Sequence, residues 1–180
     1  VGTLTVTEYN ETIKVTVNGG GSYVYDGQEH KATVTVSELP EGYTVEKAES
    51  NDSATHVSEG TVTANCDELI IRNAEGEDVT AQLNIEFENT TITITPAQLT
   101  VVTPSDSKVY NGKELTKEGK VEGFVNNENA TFTTTGTITE VGTTENTYSL
   151  VFNKSAQETD YTVNETIGKL TITENEDEIV

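Results

Sequence analysis

A phrase that occurs twice constrains this 180-residue chain more than any other feature of its sequence. SYVYDGQEH occupies residues 22–30 and SKVYNGKEL occupies residues 107–115, so that Tyr25 corresponds to Tyr110. Internal repetition is the sequence signature of tandem architectures in which each repeat is one supersecondary unit. The chain is therefore predicted to contain the same small module twice.

A second repeated phrase indicates where each module ends. VTAQLNIEFENTTITIT at 79–95 and DYTVNETIGKLTIT at 160–173 both finish on a strand in which Thr alternates with an aliphatic residue. VGTLTVTE at 1–8 is similar to IGKLTITE at 167–174, which adds a third closing strand. Three closing strands and two bodies indicate a repeat period of about 80 residues. The two bodies do not align cleanly in their middle parts, however.

The module boundary is predicted at Pro96, because proline cannot donate a hydrogen bond to a sheet ladder and so marks a boundary or an edge. We predict the last strand of a preceding module at 1–8, a first β module at 9–95, a second at 96–174 and an acidic tail at 175–180. The abrupt start and end of the sequence suggest a piece of a longer protein.

The repeated phrase carries the chemistry of a turn. Asp-Gly and Asn-Gly are preferred where two successive residues need positive φ, as in a type I′ hairpin turn. The structural turn residues predicted in this way are Tyr25, Asp26, Gly27, Tyr110, Asn111 and Gly112. A turn explains both glycines, and nothing nearby in the sequence completes an active site.

Alternation of apolar and polar residues dominates the rest of the chain. It is found in KATVTVS at 31–37, LNIEFE at 83–88, TITIT at 91–95 and YSLVF at 148–152. Such alternation is typical of half-buried β-strands, and short strands separated by turns predict a sandwich or another small β-fold. One helical turn within 76–83 is the main helical signal. We predict an all-β chain of two tandem small antiparallel modules, β-sandwich Ig-like or β-grasp-like, arranged end to end.

The charge balance limits the partners. Ten basic residues against 31 acidic ones give a formal net charge of −21. We expect no nucleic-acid partner, because phosphate binding needs clustered Lys and Arg. No apolar stretch reaches the roughly 18–20 residues of a membrane span, so we expect no membrane insertion.

Catalysis finds little support in the sequence. Cys66 is the one cysteine, which excludes an intrachain disulfide framework and predicts a small buried hydrophobe. The chain has two histidines, His30 and His56, and no nucleophile–base–orienter motif around them. We therefore expect a non-catalytic protein.

Calcium is the metal that the sequence leaves open, with no other cofactor expected. Hard cations take oxygen ligands, and Glu75, Glu77 and Asp78 are the candidate ligands. Their spacing does not match an EF-hand loop. No metal site is therefore predicted, and these three residues are weak candidates only.

Two further devices remain alternatives. An intramolecular isopeptide bond could join Lys31 or Lys108 to Asn84 or Asn164 and would stabilise a small core as disulfides do elsewhere. Carbohydrate could stack on exposed aromatic rings, although half-buried strand positions are the simpler explanation of these residues. The candidate rings are Tyr9, Tyr43 and Tyr161.

Longer phrases resemble a known class of protein. YDGQEHKATVTVSELPEGYTV at 25–45, IRNAEGEDVTAQLNIEF at 71–87, SKVYNGKELT at 107–116 and IGKLTIT at 167–173 are similar to tandem modules of large Gram-positive gut-bacterial surface proteins. Related modules are classed as mostly-β-grasp or bacterial Ig-like domains of adhesins. The resemblance covers nearly the whole chain, implies export and sortase anchoring to the cell wall, and supplies no catalytic residues.

The function expected from these observations is structural. The modules would form the stalk or spacer of an adhesin at the bacterial cell surface, with neighbouring modules of the parent chain as partners. The alternative is that the modules themselves bind a host glycan or matrix protein. A surface patch of exposed Tyr or apolar residues would favour this alternative.

Overall fold

The computed structural model describes residue 2 and residues 10–176. These residues form β-strands and three single-turn 3-10 helices, which confirms the all-β prediction. The short helices are Val57–Glu59, Thr80–Gln82 and Glu158–Asp160. Apart from Gly2, the strand predicted at 1–8 lies outside the described residues, as does the end of the predicted tail, 177–180.

The chain divides into two compact units. Unit 1 contains Gln28–Thr95 together with the described residues up to Tyr23, and unit 2 contains Val24–Gly27 and the described residues from Pro96 onward. The sequence-based boundaries did not foresee that Val24–Gly27 would be part of the second unit.

Unit 1 is built from the first ten strands. Their bounds are β1 Ile13–Asn18, β2 Gly21–Val24, β3 His30–Lys31, β4 Thr33–Val36, β5 Thr44–Glu49, β6 Ser53–Ala54, β7 Thr61–Ala64, β8 Glu68–Arg72, β9 Ile85–Glu88 and β10 Thr90–Thr95. The sheet orders are β4-β1-β9, β2-β10-β7, β3-β6 and β5-β8.

The core of unit 1 follows the alternation in its strands. Ile13 and Val15 of β1 and Ile92 of β10 are fully buried. The inward face predicted for β4 is confirmed, since its two threonines are exposed and its valines are half-buried. Phe87 is the exception, because it lies on the predicted inner row of β9 and is 50% exposed.

Unit 2 repeats this plan with eight strands. Their bounds are β11 Ala97–Thr103, β12 Asp106–Val109, β13 Lys120–Glu122, β14 Ala130–Thr134, β15 Gly142–Glu145, β16 Tyr148–Phe152, β17 Tyr161–Ile167 and β18 Lys169–Thr173. The sheet orders are β13-β11-β17, β12-β18-β15 and β14-β16. Leu99, Val101 and Leu170 are fully buried.

Both units contain parallel pairs, which the prediction of antiparallel modules did not include. β1 pairs with β9, β11 with β17 and β12 with β18 in parallel. A parallel partner needs a long crossover connection, and here most of each module lies between the two paired strands. The sequence pattern fixes the face of a strand but carries no information on the direction of its neighbour.

The predicted type I′ hairpins are wrong in their geometry. Gly27 has φ 73° and Gly112 has φ 72°, but the residue before each glycine is not among those with positive φ. The strand before each turn also lies beside the closing strand of the module, in the pairs β2-β10 and β12-β18, and not beside the next strand in sequence. The chain therefore bends at each glycine without forming a hairpin.

Candidate functional site

A tight turn in unit 2 prepares the site. The Glu128 amide donates to the Val125 carbonyl at 2.9 Å, and the two residues between them, Asn126 and Asn127, have φ 52° and 58°. Two successive positive φ values within such a bond are the arrangement of a type I′ turn. Asn is one of the few non-glycine residues that adopts this conformation readily. The turn places the Glu128 side chain inside unit 2.

Two phenols hold this carboxylate. The Tyr25 hydroxyl donates to Glu128 Oε1 at 2.5 Å, and the Tyr161 hydroxyl donates to Glu128 Oε2 at 2.6 Å. Glu128 is 8% exposed, so it has little access to water. Burial of a carboxylate is costly unless its oxygens are hydrogen-bonded, and short charge-assisted bonds are the strong ones. The paired phenols meet this requirement.

Aromatic rings surround the bonded groups. The Tyr161 ring lies 5.5 Å from the Tyr25 ring and 5.2 Å from the Phe124 ring, both edge-on, and 5.9 Å from the Phe152 ring. Edge-to-face contacts at such distances are favourable beyond the area they bury. The Tyr161 oxygen also accepts a bond from the Val125 amide at 3.3 Å. We call Tyr25, Phe124, Glu128, Phe152 and Tyr161 the tyrosine–carboxylate cluster.

The phenols of this cluster are stable proton donors. Burial, followed by the hydrogen bond to Glu128, raises the pKa of Tyr161 to about 12. The same two causes, in the same order, raise the pKa of Tyr25 further above its ordinary value. Both phenols therefore keep their protons on the bond to Glu128, which suits a permanent contact and opposes proton transfer.

Gly27 allows the turn to approach this site closely. A Cβ atom at Gly27 would lie 2.4 Å from the Asn126 Cβ and 2.6 Å from its Cγ. The positive φ of Gly27 would strain any other residue as well. The predicted turn residues Tyr25 and Gly27 thus act together, since one enters the cluster and the other makes room for it. Asp26 lies between them.

The second copy of the turn has other surroundings. The Tyr110 amide donates to the Thr173 carbonyl at 2.8 Å, and the half-buried Tyr110 packs against the buried cluster of Leu115, Leu170 and Ile172 in its own unit. Asn111 Oδ1 accepts a bond from the Lys113 amide at 3.1 Å. A Cβ atom at Gly112 would meet nothing within 4 Å. The sequence repeat therefore does not extend to the contacts of the two turns.

Unit 1 contains a comparable tight turn without the carboxylate, although only one of its two central residues has positive φ. The Tyr43 amide donates to the Pro40 carbonyl at 3.0 Å, and Gly42 has φ 82°. This turn follows β4 as the Val125–Glu128 turn follows β13, so Tyr43 takes the place of Glu128. The correspondence resolves the middle parts of the two modules, which the sequence alone could not align.

The second phenol is also missing from unit 1. Leu83 directly follows the 3-10 helix Thr80–Gln82, as Tyr161 directly follows Glu158–Asp160. Unit 1 therefore has a leucine where unit 2 has the hydroxyl donor. The carboxylate-binding chemistry belongs to unit 2 alone among the described residues at these positions.

A groove of about 490 Å³ opens elsewhere on unit 2, along β16 and β17. Its walls include Tyr148, Leu150, Phe152 and Val163. The Tyr148 hydroxyl donates to Glu165 Oε2 at 2.6 Å, and this bond raises the pKa of Tyr148 to about 12. Apolar walls with a few convergent polar groups are the usual composition of a binding cleft.

The tyrosines considered as carbohydrate platforms differ in exposure. Tyr161 is 7% exposed, so its interpretation as a platform is wrong. Tyr43 is half-buried. Tyr9 lies outside the described residues. Tyr148, which the sequence did not single out, lies in the groove instead.

The candidate calcium ligands take part in a loop. Asp78 Oδ1 accepts bonds from the Thr80 amide at 3.0 Å and the Thr80 hydroxyl at 2.7 Å, which lower the pKa of Asp78. Asn73 donates to Glu77 Oε2 at 3.1 Å and accepts from the Glu75 amide. Within residues 10–176, no three His, Cys, Asp or Glu side chains are grouped so that they could hold a metal ion.

The candidate isopeptide partners each bind other groups. Lys108 Nζ donates to the Glu114 carbonyl at 3.0 Å, and Asn164 donates to a neighbouring glutamine. Lys31 pairs with Glu29 at 3.1 Å, and Asn84 donates to a threonine hydroxyl. Among the described residues, neither lysine forms a hydrogen bond with either asparagine.

Cys66 and His30 have separate environments. The Cys66 thiol is half-buried rather than fully buried, and burial raises its pKa. The His30 ring stacks on the Tyr23 ring with centroids 4.1 Å apart. A raised thiol pKa disfavours the reactive thiolate, so this cysteine has no sign of nucleophilic activation.

Two buried polar residues of unit 2 carried no sequence signal. Asn146 is fully buried, and its amide group donates to the Pro104 and Lys117 carbonyls at 2.9 and 3.0 Å. Asp160 is also fully buried, directly before Tyr161. Both fall in polar stretches that the alternation rule assigns to loops, which explains why the sequence analysis missed them.

The chain matches no protein-family model and no curated protein. No helix among the described residues is long and apolar enough to cross a membrane.

Proposed function

We propose that this chain is a non-catalytic repeat region of a secreted, cell-wall-anchored bacterial surface protein and acts as the stalk or spacer of an adhesin. One observation carries the proposal. Tyr25 is 2% exposed in the tyrosine–carboxylate cluster of unit 2, although the residues before Val24 and after Gly27 belong to unit 1.

Residues Val24–Gly27 belong to unit 2 but lie in the sequence between two stretches of unit 1. β2 belongs to a sheet with β10. The residue directly after β2 is Tyr25, whose hydroxyl binds Glu128. If unit 1 unfolds, unit 2 keeps this phenol only by ordering a free chain segment, which costs conformational entropy. Cooperative resistance to unfolding is what a spacer exposed to proteases and mechanical load requires.

Threonine pairs across neighbouring strands support the same function. Their hydroxyls lie within hydrogen-bond distance of each other, and such cross-strand pairs stabilise a sheet without apolar surface. The pairs are Thr61–Thr93 at 3.0 Å, Thr135–Thr147 at 2.9 Å and Thr143–Thr171 at 3.1 Å. The threonine-rich surface therefore serves the scaffold itself.

Hydrogen exchange of the whole chain tests how far Tyr25 stabilises unit 2. We expect Tyr25→Ala to speed amide exchange in β11 and β18 of unit 2, with Tyr110→Ala as the matched control of smaller effect. Unchanged exchange in unit 2 after Tyr25→Ala would contradict the proposal, because Tyr25 would then contribute nothing to the stability of unit 2.

A second candidate function is adhesion through the groove of unit 2. The ring of Phe132 stacks on that of Tyr148 with centroids 5.5 Å apart, and Glu145 and Glu158 also line the groove. Aromatic faces and carboxylate acceptors suit a host glycan, or an apolar and basic segment of a matrix protein.

An array of mucins, host glycans and matrix proteins separates the two functions. Adhesion predicts saturable binding to one class, lost in Tyr148→Ala and kept in Val151→Ala, since Val151 lies on the same strand and is 58% exposed outside the groove. Absence of binding across the array leaves the spacer function and removes the adhesive one.

A further inference from the structure

In the sequence, the Tyr110 turn occupies the same position in the second module as the Tyr25 turn occupies in the first module. The Thr173 hydroxyl donates to the Lys108 carbonyl at 3.5 Å, and the Thr95 hydroxyl donates to the Tyr23 carbonyl at 3.1 Å. In both modules the closing strand thus binds the backbone two residues before the tyrosine. Each tyrosine is presented by the same strand arrangement.

The two phenols differ in what they bind. Tyr25 is 2% exposed and donates to Glu128, whereas the Tyr110 hydroxyl makes no hydrogen bond among the described residues, and its ring is half-buried. The space around Gly112 is open, while Gly27 is in close contact with Asn126. Tyr110 therefore has the geometry of a donor without its acceptor.

We propose that the Tyr110–Gly112 turn docks into a further β module of the unit 2 type that follows in the parent chain. In that module the counterparts of Glu128 and Tyr161 would take up the Tyr110 hydroxyl, and the counterpart of Asn126 would lie against Gly112. This inference deepens the proposed spacer function and rests on it.

The receptor must be of the unit 2 type. Unit 1 carries Tyr43 and Leu83 at the positions of Glu128 and Tyr161, so it offers no carboxylate to a phenol. A tyrosine docked there would lose its hydrogen bond to water without gaining a charged acceptor, which is unfavourable. The residues at the positions of Glu128 and Tyr161 therefore decide which modules can follow a Tyr-x-Gly turn.

The neighbouring valines provide a control. Val24 stays 63% exposed beside the buried Tyr25, and Val109 is 52% exposed beside Tyr110. Burial of Tyr25 within unit 2 thus leaves Val24 in solvent. The docking contact is the tyrosine and glycine of the turn, so Val109→Thr, which keeps the β-branched shape, should leave it unchanged.

The test is a three-unit chain in which residues 1–173 are followed directly by a second copy of residues 96–176. With the appended copy alone isotope-labelled, amide exchange reports its opening equilibrium. Tyr110→Phe in the original unit 2 and Glu128→Gln in the appended copy are made singly and together. A charged hydrogen bond predicts a coupling of about tenfold or more in that equilibrium constant.

The matched cycle uses Tyr25→Phe and Glu128→Gln in the natural chain. Coupling in both cycles, unaffected by Val109→Thr, is the expected result. Coupling of Tyr25 without coupling of Tyr110 would overturn this inference and leave the spacer function in place. Absence of coupling in the Tyr25 cycle would overturn both.

Discussion

The two Tyr-x-Gly turns have the same local structure and different partners. Gly27 and Gly112 have φ values of 73° and 72°, and both turns follow a strand that lies beside the closing strand of its module. Tyr25 nevertheless enters a buried cluster with Glu128, while the half-buried Tyr110 packs against the apolar cluster that includes Leu170. Backbone geometry and environment are thus set separately.

The difference between the turns teaches what a repeated phrase can encode. Tyrosine and glycine suffice to form and present the turn, because positive φ and strand direction are local properties. The partner is supplied by residues far away in sequence, since Tyr25 and Glu128 are 103 positions apart. A repeat in sequence therefore predicts a repeat in local structure but not in contacts.

Removing each tyrosine side chain should separate the two environments most clearly. Tyr25→Ala leaves a cavity and deprives the Glu128 carboxylate of one donor, and we expect a loss of about 3–5 kcal/mol in the unfolding free energy of unit 2. Tyr110→Ala should cost roughly half of that or less, because its ring is half-buried and unbonded. Urea unfolding of the full chain measures both. Equal losses would remove the distinction between the turns.

Alanine at the two glycines should sharpen the comparison. Both substitutions incur the cost of positive φ, about 1–2 kcal/mol. Gly27→Ala also forces the side chain of Asn126 to move, which adds about 1–3 kcal/mol, whereas Gly112→Ala meets open space. The difference in urea midpoint measures the steric contribution. A Gly112→Ala variant as unstable as Gly27→Ala would contradict the close approach at Asn126.

Alkaline pH should act on the buried phenols of unit 2. Their pKa values lie above the unfolded value of about 10, and that of Tyr161 is about 12. The unfolded state loses protons first, so the stability from each phenol is fully present below pH 10 and is lost as pH rises through the folded pKa. The slope is about 1.4 kcal/mol per pH unit for each such tyrosine.

Phenylalanine variants measure this slope residue by residue. Tyr25→Phe and Tyr148→Phe should each reduce the decline in unfolding free energy between pH 10 and pH 12 by one such contribution. Urea unfolding at several pH values in this interval gives the slopes. A slope that stays the same in Tyr25→Phe would mean that this phenol is not bound in the cluster.

The smallest expected effect concerns the Val125–Glu128 turn, whose counterpart in unit 1 is the turn from Pro40 to Tyr43. Asn127 occupies the place of Gly42, and glycine tolerates its positive φ at least as well. We expect Asn127→Gly to change the stability of unit 2 by only about 0.5 kcal/mol, and Asn127→Val to cost about 1–2 kcal/mol. Thermal unfolding compares the two variants. A large loss in Asn127→Gly would show that the Asn127 side chain has a further role.

Much of the local structure could be predicted from the sequence. The inner rows of β4, β10 and β16 follow from period-two alternation, and the short 3-10 helix Thr80–Gln82 lies within the stretch that carried the helical signal. β10 ends at Thr95 and β11 begins at Ala97, with Pro96 between them. These features depend only on residues that are neighbours in the sequence.

The candidate site was only half predictable. Tyr25 and Gly27 were identified as turn residues, but Glu128 lies in a polar stretch with nothing to mark it as buried. Tyr161 was interpreted as a strand residue or a sugar platform, and its bond to Glu128 was not foreseen. A buried carboxylate is recognisable only once its donors are known, because in sequence it is one of 31 acidic residues.

The sequence by itself determined the β character, the repeat and the glycine turns, since alternation, repetition and positive φ are properties of short segments. Only the tertiary structure decided the parallel closing pairs, the membership of Val24–Gly27 in unit 2 and the meeting of two phenols at one carboxylate. The physical reason is that burial and hydrogen bonding depend on what the returning chain brings near a side chain. A face of a strand is set by its own residues, whereas its partner is set by the whole fold.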